Sequence, residues 1–118
     1  MAKASYWQRG ETLDFTNDAV GATKIDANSI VELDAMIGVA GTDIAVGETG
    51  SLHVSGVFSM PKSSTNAIAQ GAKVYWDGSG ITEAADDGGN PANPYTPAGY
   101  AAAPATADAT TILVKLLG

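Results

Sequence analysis

Few residues of this chain have the types and spacing that catalysis or metal binding requires. His53 is the only histidine and there is no cysteine, so neither a histidine cluster nor a thiolate site can form. The adjacent pair Asp86-Asp87, in a glycine-rich segment, is the one local carboxylate candidate for a metal. It lacks the alternating oxygen ligands and the closing acid of a calcium loop. We therefore expect no metal and no cofactor.

The sequence also lacks the motifs of nucleophilic catalysis and of nucleotide hydrolysis. Serines are plentiful, but none lies in the G-x-S-x-G turn that exposes a hydrolase nucleophile. His53 falls on the polar face of its predicted strand, where a histidine is usually a surface or interface residue. The phosphate-binding pattern G-x-x-x-x-G-K-[ST] is also absent. We predict that the protein is not an enzyme.

Composition narrows the class further. The 118 residues suffice for one domain with one core. Six basic residues stand against 13 acidic ones, giving a net charge of −7, and the basic residues are spread along the chain. Because phosphate neutralisation supplies most nucleic-acid affinity, we expect no nucleic-acid partner. No apolar run has the length of a membrane span or a signal peptide, so we also expect no membrane partner.

Hydrophobic alternation and turn residues predict strands along most of the chain. Strands are predicted at residues 11–16, 51–58, 99–103 and 110–116, and hairpins at 29–40 and 73–84. Residues 63–70 are the only helical candidate, with Gly71 as the stop. Residues 86–97, with three prolines, are predicted to form a long loop. Residues 37–40 and 98–101 echo each other, but four residues do not establish a repeat.

These elements predict a small all-β, single-domain β-barrel or β-sandwich. We expect about seven or eight short strands, one short helical turn and an extended N-terminal arm. The arm is residues 1–10, and residues 11–118 form the β domain with its long loop at 86–97. Strand order is not determined by the pattern, so the barrel and the sandwich both stay open.

The aromatic residues divide into core and interface candidates. Phe58 and Trp76 lie at core-facing positions of predicted strands. Tyr6 and Trp7 lie in the arm, outside the alternating segments, and exposed aromatics of this kind commonly anchor protein interfaces. Together with Arg9, and with Tyr95 in the long loop, they form the candidate interface set.

The order of several motifs resembles the phage capsid cement, or decoration, family. The most specific stretch runs from Ala69-Gln70-Gly71 through Tyr75-Trp76-Asp77, after Val57-Phe58 and Pro61-Lys62. The closing residues 111–116 also fit, so the resemblance covers nearly the whole chain. Residues 86–97 depart from the family pattern, being longer and richer in proline. A recombinase label attached to some members does not fit a chain without a phosphate loop or a basic surface.

The resemblance implies a structural virion protein that binds the major capsid protein on the outside of the capsid, commonly as a homotrimer. Such a protein would be made in the cytoplasm of the bacterial host and would stabilise the shell. Two alternatives stay open. One is another phage structural β-domain, associated with head completion, tail or fibre. The other is a glycan-binding module that uses Trp7 or Tyr95.

Overall fold

The computed structural model describes residues 2–6 and 8–117, and within this part the chain forms nine strands and no helix. The strands are β1 (Thr12–Thr16), β2 (Ile30–Glu32), β3 (Ile37–Ala40), β4 (Thr49–His53), β5 (Val57–Pro61), β6 (Lys73–Trp76), β7 (Ile81–Thr82), β8 (Thr96–Ala101) and β9 (Thr111–Leu116).

The strands form two antiparallel sheets. The four-stranded sheet has the order β1-β4-β3-β2, and the five-stranded sheet has the order β5-β9-β8-β6-β7. No strand pairing closes either sheet on the other within the described residues, so the fold is a sandwich rather than a closed barrel. The all-β, single-domain prediction is confirmed, as are the hairpins β2–β3 and β6–β7.

The predicted helical turn at residues 63–70 is wrong. Ile68 instead forms an antiparallel bridge with Ala105, closed by two backbone hydrogen bonds of 2.9 Å. Ile68 is 2% exposed and belongs to the main core. A helix of two turns is marginal in water, and burial of one isoleucine on an extended backbone outweighs it.

The predicted strand at residues 51–58 is two strands. β4 ends at His53 in one sheet and β5 begins at Val57 in the other. Gly56 between them has a φ of 104°, a conformation that favours glycine. The alternation of apolar residues continues through the break, which is why the pattern conceals the crossover between sheets.

The predicted loop at 86–97 ends two residues early, because β8 begins at Thr96. Asp86 and Pro94 form a bridge across the base of the loop. Pro97 is accommodated within β8 next to an irregularity in the pairing with β6, between Val74 and Tyr75. A proline in a strand commonly sits at such a position.

The two sheets are built from two copies of one arrangement. Strands β1, β2, β3 and β4 have the same order and pairing as β5, β6, β8 and β9. Residues 11–54 therefore form a first half and residues 56–116 a second half of like topology. The second half carries an additional segment, which contains β7 and the long loop, between β6 and β8.

Hydrogen bonds outside the strand pairs repeat as well. The bridge between Ile25 and Ile44 in the first half corresponds to the bridge between Ile68 and Ala105 in the second. Further matched donor and acceptor pairs, the first half given first, are Asn17→Glu48 with Lys62→Thr110, Asn28→Ala40 with Gly71→Ala101, Ala40→Ser29 with Ala101→Ala72, Gly41→Ser51 with Ala102→Leu113, and Val54→Glu11 with Leu116→Gly56. The duplication therefore extends beyond strand order to individual backbone contacts.

The matched positions also share buried polar side chains. Asn17 is 4% exposed and Lys62 9%. Asn17 Nδ2 donates to the carbonyl oxygens of Thr23 and Ile44, and Lys62 Nζ donates to those of Ser64 and Ala107. Each side chain thus bridges the two loops of its half, and its own buried polar group has hydrogen-bond partners. The echo between residues 37–40 and 98–101 falls on the equivalent strands β3 and β8.

Two apolar clusters hold the layers together. The main core lies between the sheets and takes most of its buried side chains from the second half, with Ile37 and Val39 from the first. The smaller cluster, Ala40, Ile44 and Leu52, lies on the opposite side of the four-stranded sheet, beneath the paired loops 17–28 and 41–48. The order of layers is thus loops, small cluster, four-stranded sheet, main core and five-stranded sheet.

The duplicated glycines Gly38 and Gly99 provide a matched stability test. A Cβ at Gly99 would lie 1.9 Å from the Lys115 carbonyl oxygen, and the φ of Gly99 is 148°. At Gly38 the nearest atom is Leu52 Cβ, at 3.1 Å. We expect Gly99→Ala to lower the free energy of unfolding by about 3 kcal/mol or more and Gly38→Ala by about 1–2 kcal/mol, measured by urea denaturation. Equal losses would contradict this account.

Candidate functional site

The N-terminal segment offers side chains without burying them. Residues 2–6 and 8–10 form no strand and are exposed, with Tyr6 at 82%. Arg9 pairs with Glu11 at 3.6 Å, and both side chains are largely exposed. An exposed ion pair of this kind is worth about 0–1 kcal/mol, so Arg9 is available to a partner at little cost. Trp7 lies outside the described residues.

Charge is unevenly divided between this segment and the rest of the chain. Residues 1–10 contain Lys3 and Arg9 and no acidic residue. Residues 11–118 contain four basic and thirteen acidic residues, a net charge of −9. The segment therefore combines positive charge with aromatic side chains, while the remainder of the protein carries the net negative charge.

Tyr95 lies elsewhere, in an open cleft of about 190 Å³ at the junction of the two sheets. Its neighbours in the cleft include Glu32 of β2, Trp76 of β6 and Asp77. The Thr96 hydroxyl donates to Glu32 Oε2 at 2.8 Å across this junction. Tyr95 is half-buried, so its position is fixed by the cleft, whereas Tyr6 and Arg9 belong to the exposed segment.

The predicted core aromatics are where the sequence indicates. Phe58 and Trp76 are partly buried and pack against the main core. His53, predicted on the polar face of its strand, is half-buried, with its ring centroid 5.9 Å from that of Phe58. Since β4 and β5 belong to different sheets, this ring contact lies where the two halves meet.

The carboxylates of the long loop are engaged in loop structure. Asp87 Oδ1 accepts hydrogen bonds from the backbone N–H groups of Gly89 and Asn93, and Oδ2 accepts one from Asn93 Nδ2. These hydrogen bonds lower the pKa of Asp87. The backbone N–H of Asn93 has the largest effect, followed by the Asn93 side chain and the backbone N–H of Gly89. Among the described residues no group of three or more His, Cys, Asp or Glu side chains converges as a metal site would require.

Asp77 organises the turn between β6 and β7. Its Oδ1 accepts from the N–H groups of Ser79 and Gly80, and its Oδ2 accepts from the Ser63 hydroxyl at 2.6 Å. Partial burial raises the pKa of Asp77, but the hydrogen bonds from Ser63, Ser79 and Gly80 together outweigh it and lower the pKa below the ordinary value. The charged carboxylate therefore joins the hairpin to the segment after β5.

A surface that sequence reasoning missed is the side of the five-stranded sheet turned away from the main core, here called the outer face. Four apolar residues on it expose large fractions of their surface: Val57 (55%), Tyr100 (40%), Leu113 (44%) and Leu117 (45%). Lys73 and Lys115 are cross-strand neighbours of Tyr100 on this side. A signal was present in β9, where Leu113 alternates with the buried residues Ile112 and Val114.

The charged state of Asp77 yields a pH-dependent prediction. Because its pKa is lower in the folded protein than in the unfolded chain, its contribution is complete above the unfolded value and is lost as pH falls through the folded value. We expect Asp77→Ala to lower the free energy of unfolding by about 1–2 kcal/mol at pH 7, and by less at acidic pH. Asp14→Ala, at an exposed position of β1, is the control. A pH-independent loss would contradict the role of the charge.

Comparison with known proteins gives one family and no individual relatives. No helix within residues 2–6 and 8–117 is long and apolar enough to cross a membrane. No curated protein and no solved structure gives a significant match. A family model described as phage cement protein matches residues 7–116, which is nearly the whole chain. The sequence resemblance is thereby confirmed, and the chain belongs to the phage cement protein family.

Proposed function

We propose that this protein binds the outer surface of a phage capsid, in contact with the major capsid protein, and stabilises the shell as a homotrimer. The family match over residues 7–116 is the observation that carries the proposal. It supports a role as a capsid cement and argues against an enzyme. The protein would be made in the host cytoplasm, and a chain without cysteine does not depend on an oxidising compartment to fold.

The physical mechanism is mass action. A protein that binds the assembled shell and not its dissociated parts stabilises the shell as the logarithm of its concentration over the dissociation constant. Copies at many equivalent lattice positions add their contributions, and positions on three-fold axes favour closed trimers. A compact β-sandwich suits this role because it presents broad surfaces on a framework of paired strands.

The exposed N-terminal segment is the element we assign to shell contact. Tyr6 and Arg9 are accessible, and Trp7 is the third predicted interface residue of the segment. Aromatic and arginine side chains are the usual anchors of protein interfaces. The positive charge of the segment would favour an acidic region of the shell. Tyr95 is assigned a secondary contact at the cleft between the sheets.

The direct test is a titration of purified protein onto shells from which it has been stripped. We expect saturation at hundreds of copies per particle, counted by gel densitometry, together with a higher melting temperature of the shell. Saturation near a dozen copies would indicate a connector or tail protein instead. Absence of binding would contradict the proposal as a whole.

Deletion of residues 2–9 tests the assignment of the N-terminal segment. We expect the truncated protein to retain its melting temperature, because the described residues of the segment are exposed, and to bind stripped shells at least about tenfold more weakly. A Lys3→Gln/Arg9→Gln variant should bind with reduced dependence on salt, because charge attraction is screened by ions. Asp14→Ala, at an exposed position outside both assigned contacts, is the control. Unchanged binding by the truncated protein would contradict the assignment.

A further inference from the structure

Because the two halves have the same topology, the outer face of the five-stranded sheet has an equivalent in the first half, and that equivalent surface is buried. Val39 of β3 pairs with His53 of β4, and Tyr100 of β8 pairs with Lys115 of β9. Val39 therefore corresponds to Tyr100, and His53 corresponds to Lys115. In the first half this side of the sheet turns toward the main core, where Val39 is 4% exposed. In the second half the same side is open. One half thus uses the surface to pack onto another copy of the arrangement, and the other half leaves it unused.

The outer face differs in composition from the equivalent side of the four-stranded sheet, which faces the main core. Strands β5, β6, β8 and β9 contain no aspartate or glutamate, in a chain with thirteen acidic residues. Lys73 stands where the first half has Ile30, since each is the cross-strand neighbour of the corresponding β3 or β8 residue. Lys73, Tyr75, Pro97, Tyr100 and Leu117 line a shallow hollow of about 190 Å³ on this side. The face is apolar and basic, and an acidic surface with apolar side chains would complement it.

Such a surface exists at the other end of the same molecule. Loops 17–28 and 41–48, here called the cap, cover the small cluster on the far side of the four-stranded sheet. They are joined by backbone hydrogen bonds between Asn17 and both Gly47 and Glu48. The cap carries four carboxylates, Asp18, Asp26, Asp43 and Glu48, against one lysine, Lys24. It also exposes Val20 fully and Val46 at 57%.

The exposed apolar residues thus divide between the two ends of the layered fold. Among the described residues outside the N-terminal segment, the large exposed ones are Val57, Tyr100, Leu113 and Leu117 on or beside the outer face, and Leu13, Val20 and Val46 on the cap side. Leu13 belongs to the cap side because it pairs with Leu52, a member of the small cluster. One end is basic and the other is acidic.

We infer that the outer face of one copy docks on the cap of a second copy, in a head-to-tail contact. Pairing of two outer faces would bring two basic surfaces together, which like-charge repulsion opposes. A head-to-tail contact brings the basic face to the carboxylates and the two apolar groups together. Because the two surfaces lie at opposite ends of the layered fold, repeated contacts of this kind extend as an open chain and do not close three copies into a ring. The inference goes beyond the proposed homotrimer, because it joins copies through a different contact, and it is testable without a shell.

Complementation of two defective variants tests the contact. Tyr100→Glu/Leu113→Glu disables the outer face, and Val20→Asp/Val46→Asp disables the cap. All four positions are exposed, so both variants should keep the wild-type melting temperature. By sedimentation velocity we expect the wild type to self-associate. Each variant alone should associate at least about tenfold more weakly, and an equimolar mixture should form dimers and nothing larger, through its one intact pair of surfaces.

Each other outcome overturns the inference. A wild type that stays monomeric up to about 1 mM, the range of weak complexes, excludes the contact. If the cap variant still dimerises alone and the mixture gains nothing, two outer faces pair with each other. If neither variant changes self-association but the outer-face variant loses shell binding, the partner is the shell. Failure of the wild type to bind shells would refute the proposed function while leaving the result of complementation intact.

Discussion

The burial of one apolar layer between the two sheets is the interaction on which the rest of the structure depends. The chain has no cysteine and the described residues form no helix, so no disulfide cross-links the halves and no helix covers a sheet. What unites the halves is the side of the four-stranded sheet that carries Ile37 and Val39, packed against the buried residues of β5, β8 and β9. Apolar burial of this kind is the dominant favourable term in folding, and here it also fixes which surfaces remain outside.

Within each half, polar groups adapt the same framework to different surroundings. The loops of the first half are held by the Asn17 amide, and those of the second by the Lys62 ammonium. Lys24 lies 3.6 Å from Asp26 and 3.4 Å from Asp43, and thereby joins the two loops of the cap. These contacts join the two loops within each half, and in the first half they hold the cap together.

Sequence reasoning reached the fold class because alternation and turn residues are local signals. The turn at Asp77-Gly78-Ser79-Gly80 and the alternation in β9 each predict their element directly. The strand break at Val54-Ser55-Gly56 could not be read from the pattern, because the apolar period continues while the backbone changes sheets. Residues 63–70 have weak local preference, so the tertiary position of Ile68 decided their conformation. The candidate interface of Tyr6, Trp7, Arg9 and Tyr95 stays a prediction, and the outer face was missed because exposure is a property of the assembled sheets.

The two halves differ in the length of one equivalent connection, and this difference shows where the fold accommodates additional residues. Four residues connect β2 to β3, whereas nineteen residues, including strand β7, connect the equivalent strands β6 and β8. The backbone hydrogen bonds at the opposite ends of these strands are matched in the two halves, so the framework accommodates the longer connection with one irregularity in the strand pairing, between Val74 and Tyr75. The turn at residues 33–36 is the equivalent position in the first half, and the second half shows that a much longer connection at this position is compatible with the same strand order.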